Sequence, residues 1–297
     1  MNRQHWRSVL FVPGDRPDRV AKATRCGADA VAIDLEDAVP LEGKDQARIM
    51  AVEQLRAGLT GPVLVRVNAV DSGLLERDIE QLRPVWPQVD GVLLAKAESG
   101  SDVLRLEQLF TGMAVPAMVP IVETAVGVFE ARSTAAASPQ VATLLFGPAD
   151  LSADLGVEPT AEGNELANAR AQVVLAAAAA GLRAPLDGPH LVLGDRDGLI
   201  RATHAARTLG FGGKVVIHPE QIPAVHKGFG PRTDEITWAQ QVVAASAAAA
   251  ADGSAVCRLD DGTFVDEPIL RRAKALLDDY PDTRQRAVAR GASAVNP

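Results

Sequence analysis

An α/β chain folded as one (β/α)8 TIM barrel with a C-terminal helical or lid extension is the architecture the sequence predicts, on three observations. Eight short apolar runs, most of them rich in β-branched residues, recur along the chain. Longer helix-like stretches, punctuated by polar starts and by Gly or Pro at their ends, separate them. No linker divides the chain, and 297 residues suit one barrel of about 250 residues plus insertions. An open doubly wound sheet is the alternative reading of the same alternation.

Residues 8–13 (SVLFVP) form the first strand, which turns at Pro13-Gly14, and a helix over 16–26 stops before Gly27. The second strand, 30–35 (AVAIDL), precedes a helix over 43–57 that Gly58 ends. The third, 62–67 (PVLVRV), leads to a helix over 71–83 stopped by Pro84. After the fourth, 91–95 (GVLLA), Ser101 and Asp102 cap a helix reaching Phe110. The fifth and sixth strands are 117–122 (AMVPIV) and 143–146 (TLLF), and Thr160 opens a long helical stretch through the alanines to Gly181. The seventh, 182–186 (LRAPL), is the weakest, with Arg183 and Pro185 inside it. A helix over 195–209 ends at Gly210, before the eighth strand at 214–217 (KVVI). Residues 1–229 thus read as the barrel. Residues 230–297 read as an appendage or lid: a helix over 234–251, a turn or hairpin over 252–263, a short helix over 268–277 and a polar tail.

Composition limits the function classes. With 47% hydrophobic and 23% charged residues the chain is an ordinary globular protein. A formal net charge of −8 argues against a nucleic-acid surface, but leaves room for a local basic pocket that takes an anionic substrate. Cys26 and Cys257 stand far apart in no metal-ligand spacing, as expected of reduced thiols. No run reaches the ~18–20 apolar residues of a membrane span, and the first turn interrupts any signal-like apolar core. A cytoplasmic protein without a membrane partner is expected.

The chemistry lies at the C-terminal end of each run. The strand ends carry, in order, Asp15 and Arg16; Asp34, Glu36 and Asp37; Arg66 and Asn68; Lys96 and Glu98; Glu123; Asp150; Asp187; and His218. In a parallel barrel all eight ends share one mouth, where barrel enzymes place their active sites. Glu123 and Asp150 end adjacent strands: either both ligate a hard cation such as Mg2+, or each caps the helix after it. Arg66 either binds a carboxylate or developing oxyanion, or forms a structural ion pair with Glu36 or Asp37. Lys96 is either a Schiff-base lysine or an ion-pair partner of Glu36, the latter preferred.

These residues fall in a series of segments: RSVLFVPGDRPDRVAKA, GADAVAIDLEDAV, VRVN, KAES, IVETAVGV, LLFGPADLSADLG, GFGGKVVIHPEQI and GTFVDEP. Each is weak alone, but in this order they resemble the HpcH/HpaI aldolase and citrate lyase family, within it the citrate lyase β-subunit-like branch with the malyl-CoA and citramalyl-CoA lyases. The resemblance implies a TIM barrel whose Glu123 and Asp150 bind Mg2+, with Mn2+ as the alternative. It implies that Arg66 holds the 2-keto-acid part of the substrate, helped by the backbone amides of Gly147, Pro148, Ala149 and Asp150 as a group. Glu36, Asp37 and Lys96 form the supporting shell. Phe11, Arg16 and Lys22, with Ile217 and His218 nearby, fall where such enzymes receive coenzyme A, although His218 reads equally as a structural residue of the mouth. Asp266 of VDEP is either the acid/base that reaches a neighbouring subunit's site or simply the cap of the helix near Pro268. A homotrimer or hexamer is implied with it.

The expected reaction is metal-dependent carbon–carbon cleavage, or formation, of a 3-hydroxyacyl-CoA such as malyl-, citramalyl- or citryl-CoA, giving acetyl-CoA and a 2-keto acid. Two alternatives stand beside it: an aldolase acting on free hydroxy-keto acids, and the β subunit of a citrate lyase that works with an acyl-carrier protein.

Overall fold

The computed structural model describes residues 6–279; the predicted polar tail lies outside the described residues. Eight parallel strands close into a barrel in chain order. They are β1 (Ser8–Pro13), β2 (Ala30–Asp34), β3 (Val63–Val67), β4 (Gly91–Leu94), β5 (Ala117–Val122), β6 (Leu145–Phe146), β7 (Leu186–Asp187) and β8 (Gly213–Val216). Because β1 pairs with both β2 and β8, the ring is closed and the open doubly wound sheet is excluded. The helices of this unit are α1 (Pro17–Ala23), α2 (Lys44–Arg56), α3 (Leu75–Gln81), α4 (Gly100–Leu109), α5 (Ala125–Ala136), α6 (Pro148–Leu155), α7 (Ala167–Ala179), α8 (Arg196–Leu209) and α9 (Ile222–Phe229).

Two apolar layers explain why the strands read as continuous hydrophobic runs. Side chains alternate across a strand. One parity packs in a small inner cluster that includes Val9, Ala32, Leu64, Leu93, Val119, Ile121, Leu145, Leu186 and Val215. The other parity, including Leu10, Ile33, Val65, Val92, Val122, Phe146 and Val216, packs in a larger cluster with helix residues such as Val20, Leu55, Ile79, Leu106, Ala131, Val173, Leu199 and Val225. Both faces are buried, as a parallel barrel requires. The inner parity continues two residues further along β2, β3 and β5 into Asp34, Arg66 and Glu123, so the apolar interior gives way to charge at the C-terminal mouth.

The seventh strand differs from the expectation. It comprises only Leu186–Asp187, while residues 182–185 are a connection. The Leu182 N–H closes α7 on Ala177 O, and the Thr143 hydroxyl donates to Arg183 O and Ala184 O at 3.1 Å, so side-chain bonds replace the ladder where Pro185 has no N–H. The helix expected over 71–83 is broken at Gly73, whose φ of 71° is left-handed. A 3-10 turn precedes it, α3 comes after it, and Pro84 and Pro87 hold a further 3-10 segment. The stretch from Thr160 becomes helical only at Ala167, after a turn and a short 3-10 segment.

The chain divides between Phe229 and Gly230 into two compact units. In the second, α10 (Thr233–Ala251) and α11 (Glu267–Asp279) pack with a two-stranded antiparallel hairpin, β9 (Cys257–Arg258) and β10 (Phe264–Val265). Its own small core holds Ala239, Val242, Val265, Ala273 and Leu277. Among the described residues no helix is long and apolar enough to cross a membrane. Both cysteines are free.

Candidate active site

A cavity of about 320 Å³ opens at the mouth of the barrel, lined in part by Phe11, Asp34, Arg66, Glu123, Asp150 and the Gly147–Pro148–Ala149 segment. Its polar centre begins with an inter-strand pair. Asp34 and Arg66 are register partners on β2 and β3, so both side chains emerge on the same face. Arg66 donates from Nε to Asp34 Oδ1 at 2.7 Å and from Nη2 to Oδ2 at 2.5 Å, while Nη1 stands 3.0 Å from Glu36 Oε2. The guanidinium lies 5.2 Å over the Phe11 ring. Burial alone would disfavour its charge; Asp34 and then Glu36 outweigh that and raise its pKa.

Glu123 ends β5 and is almost fully buried. Its Oε1 accepts the Lys96 N–H at 2.8 Å. Burial, reinforced by the like charge of Asp150, pushes its pKa up to about 8. Asp150 stands in the first turn of α6, whose Pro148 start and free N-terminal amides also face the cavity. Gly147 is required by crowding: a Cβ there would lie 2.5 Å from Glu123 Oε2.

Lys96 ties these groups together. Its ammonium donates to Glu36, stands 3.3 Å from Asp37 Oδ2 and lies 3.7 Å from Asp150 Oδ1. Burial alone would lower its pKa, but the Glu36 hydrogen bond and the surrounding carboxylates raise it. A Schiff-base lysine must reach its neutral form, so the ion-pair reading of Lys96 is the one the geometry supports. Glu36 itself is shifted upward, chiefly by burial. For Asp37, burial is outweighed by its bonds to Glu36 and Lys96, and the net shift is downward.

Two carboxylates drawn to one cavity, one of them deeply buried and reluctant to ionise, suit a hard divalent cation. Among the described residues no cluster of three or more His, Cys, Asp or Glu forms a complete metal cage. Glu123 and Asp150 would therefore share the cation with water and substrate oxygens, the arrangement expected for Mg2+.

Of the residues singled out in the sequence, Phe11, Arg66, Glu123, Gly147, Pro148, Ala149, Asp150 and Ile217 line the cavity. Arg16, Lys22 and His218 do not line it. Arg16 is exposed and 3.6 Å from Asp18, Lys22 is exposed on α1, and His218 Nδ1 accepts the Glu220 N–H at 3.3 Å. Asp187 belongs to a different buried cluster, with Lys214 and with Arg170 at 3.0 Å. In the second unit Asp266 Oδ1 accepts the Ile269 N–H at 3.2 Å, the capping geometry.

Three contributors escape sequence reasoning. Asp34 reads there as a strand end, not as the principal partner of Arg66; a lone acid closing the apolar AVAI run is its signal. Arg19 lines the cavity from α1, three residues after the arginine that the motif singles out. The apolar wall of Ile121, Leu145, Pro189 and Val215 carries no mark beyond strand parity.

Comparison with known proteins agrees with this geometry. Residues 7–219 match the HpcH/HpaI aldolase/citrate lyase family. The citrate lyase subunit beta-like protein of Deinococcus radiodurans is 39% identical over 280 residues, covering 91% of this chain and 96% of that one. The mitochondrial citramalyl-CoA lyase of Homo sapiens is 32% identical over 285 residues, covering 90% and 83% respectively. Among solved structures, the CitE protein of Mycobacterium tuberculosis in complex with magnesium, acetoacetate and coenzyme A is 34% identical, with a TM-score of 0.78 over 93% of this chain and 98% of that one.

Proposed function

The chain belongs to the HpcH/HpaI aldolase/citrate lyase family, and from that premise we propose that it is a Mg2+-dependent carbon–carbon lyase that cleaves, or forms, a 3-hydroxyacyl-CoA such as malyl-, citramalyl- or citryl-CoA. The observation that carries this reading is the convergence of Glu123, Asp150 and a pre-oriented Arg66 on one cavity beside the first turn of α6.

Glu123 and Asp150 hold the cation, which when bound supplies electrostatic stabilisation to the acid's carboxylate and the oxygen beside it. Arg66, fixed by Asp34 and Glu36, offers its remaining N–H groups to the alkoxide left when the substrate hydroxyl loses its proton. The bond then breaks between the hydroxyl-bearing carbon and the thioester α-carbon. The hydroxyl carbon becomes the carbonyl of a 2-keto acid, and the electron pair stays on the thioester as its enolate. Asp266, reaching from a neighbouring subunit of a trimer or hexamer, returns a proton to that enolate, giving acetyl-CoA. Phe11 and Ile217 on the cavity wall, with Arg16, Lys22 and His218 outside it, receive the coenzyme A arm.

The deciding experiment is keto-acid release from malyl-, citramalyl- and citryl-CoA with Mg2+ or EDTA, for wild type and Glu123→Ala. Release that requires both metal and Glu123 supports the lyase. No thioester cleavage under any condition rejects it in favour of free-acid aldol cleavage or a carrier-bound substrate. The carrier-dependent reading is favoured if the chain acts only together with a small acyl-carrier protein.

A further inference from the structure

The charge around the cavity bears on which acid the acyl half becomes. Asp34, Glu36, Asp37, Glu123 and Asp150 cluster with only two cations, Arg66 and Lys96. With every acid ionised, a bound divalent cation still leaves this cluster negative by one charge, and the substrate's first carboxylate adds another. Three of the five N–H groups of Arg66 are already directed at Asp34 and Glu36. The two that remain are the number a single carboxylate takes in a bidentate pair.

A second carboxylate on the same acid would find little to receive it. The rest of the wall is Phe11, Ile121, Leu145, Pro189, Val215 and Ile217, all apolar. Lys96 is committed to Glu36, Asp37 and Asp150. Among the described lining residues the other cation is Arg19, on the exposed side of α1. A carboxylate pressed against an apolar wall without a partner is strongly disfavoured, whereas a hydrogen or methyl group fits there at no such cost.

Resting on the lyase reading above, we infer that the acyl half leaves as a 2-oxo monocarboxylate bearing hydrogen or methyl next to the keto carbon, and not as a 2-oxo dicarboxylate. The apolar wall holds that hydrogen or methyl, and Arg66 with the cation site accounts for the single carboxylate.

The test is calorimetric binding of glyoxylate, pyruvate and oxaloacetate to the full chain, with Mg2+ and with EDTA, the oxaloacetate freshly dissolved and assayed for its decarboxylation product after each run. Glyoxylate or pyruvate should bind at least about tenfold more tightly than oxaloacetate, and only with metal. Metal-dependent binding of oxaloacetate that equals or exceeds both would overturn the inference while leaving the lyase reading intact. Absence of metal-dependent binding by any of the three would remove the lyase reading and this inference with it. In a second arm, Arg19→Gln should leave the ratio of the three affinities unchanged. A selective loss of oxaloacetate affinity would identify Arg19 as the partner of a second carboxylate and reject the inference.

Discussion

Lys96 adopts φ 47°, the left-handed region that costs an ordinary L residue about 1–2 kcal/mol, and it is the only non-glycine among the described residues with positive φ. The strain serves position: the turn aims its N–H at Glu123 and its ammonium at Glu36 and Asp150. Glu123 and Gly147 each yield a prediction at this scale. With its pKa near 8, Glu123 holds its proton at pH 7 before metal arrives, and only the carboxylate form ligates a cation. Mg2+ binding at pH 7 should therefore release close to one proton, and affinity should rise with pH up to about 8 and level off above it. Calorimetry in two buffers of different ionisation enthalpy measures this directly; zero proton release would contradict it. Gly147→Ala places a methyl group against the Glu123 carboxyl. It should weaken Mg2+ binding by about 100-fold, on the order of the losses seen when metal-ligand positioning is disturbed, while circular dichroism still reports an intact barrel.

At the scale of elements, the turn after β2 is braced from behind by α2, β3 and α3. Lys44 donates to Leu35 O at 2.8 Å, Glu36 O at 2.7 Å and Asn68 Oδ1 at 2.9 Å. Asn68 in turn donates from its backbone and side-chain amides to Asp78 Oδ2, and Arg48 Nε reaches Asp78 Oδ1 at 2.6 Å. Arg48 and Asp78 are both fully buried, so removing one charge strands the other in the interior. Asp78→Ala should lower the unfolding free energy by about 3–5 kcal/mol in urea titration. The double variant Arg48→Met/Asp78→Leu should recover most of that loss, since it leaves no unpaired charge. A single-variant cost below about 1 kcal/mol would show that the network is not what holds the turn carrying Glu36.

At the scale of the molecule, the barrel unit carries every residue assigned to metal and acid binding, while Asp266 belongs to the second unit. As an acid/base, Asp266 has a separable role: Asp266→Ala should cut turnover by about 100-fold or more and leave Mg2+ affinity unchanged. Equal loss of both would reduce Asp266 to the helix cap seen at Ile269. Because the proposed site is shared across subunits, mixed oligomers of Glu123→Ala and Asp266→Ala chains should regain part of the activity that each lacks alone. Light scattering should give a mass that is a multiple of three chains, and mixed oligomers without activity would argue that each subunit uses its own Asp266.

Eight apolar runs determined the barrel from the sequence alone, because strands buried on both faces must be nearly continuous in hydrophobicity and that property is local. Glu123 and Asp150 were legible as a pair for a similar reason: each ends a run, and a parallel barrel collects such ends at one mouth. The bounds of β7 were not legible, because Leu186–Asp187 is held by its neighbours more than by its own composition. Arg66 was legible as a charge inside a strand, but its main partner was not, since Glu36, Asp37 and Asp34 are equally near in sequence. The β2–β3 register, which sets Asp34 opposite Arg66, made that choice. The apolar wall and Arg19 likewise emerged only when strands distant in sequence closed into a ring. Periodicity along a chain says which side chains share a face; which faces meet, and what charge they enclose, is fixed by long-range pairing that only the tertiary structure supplies.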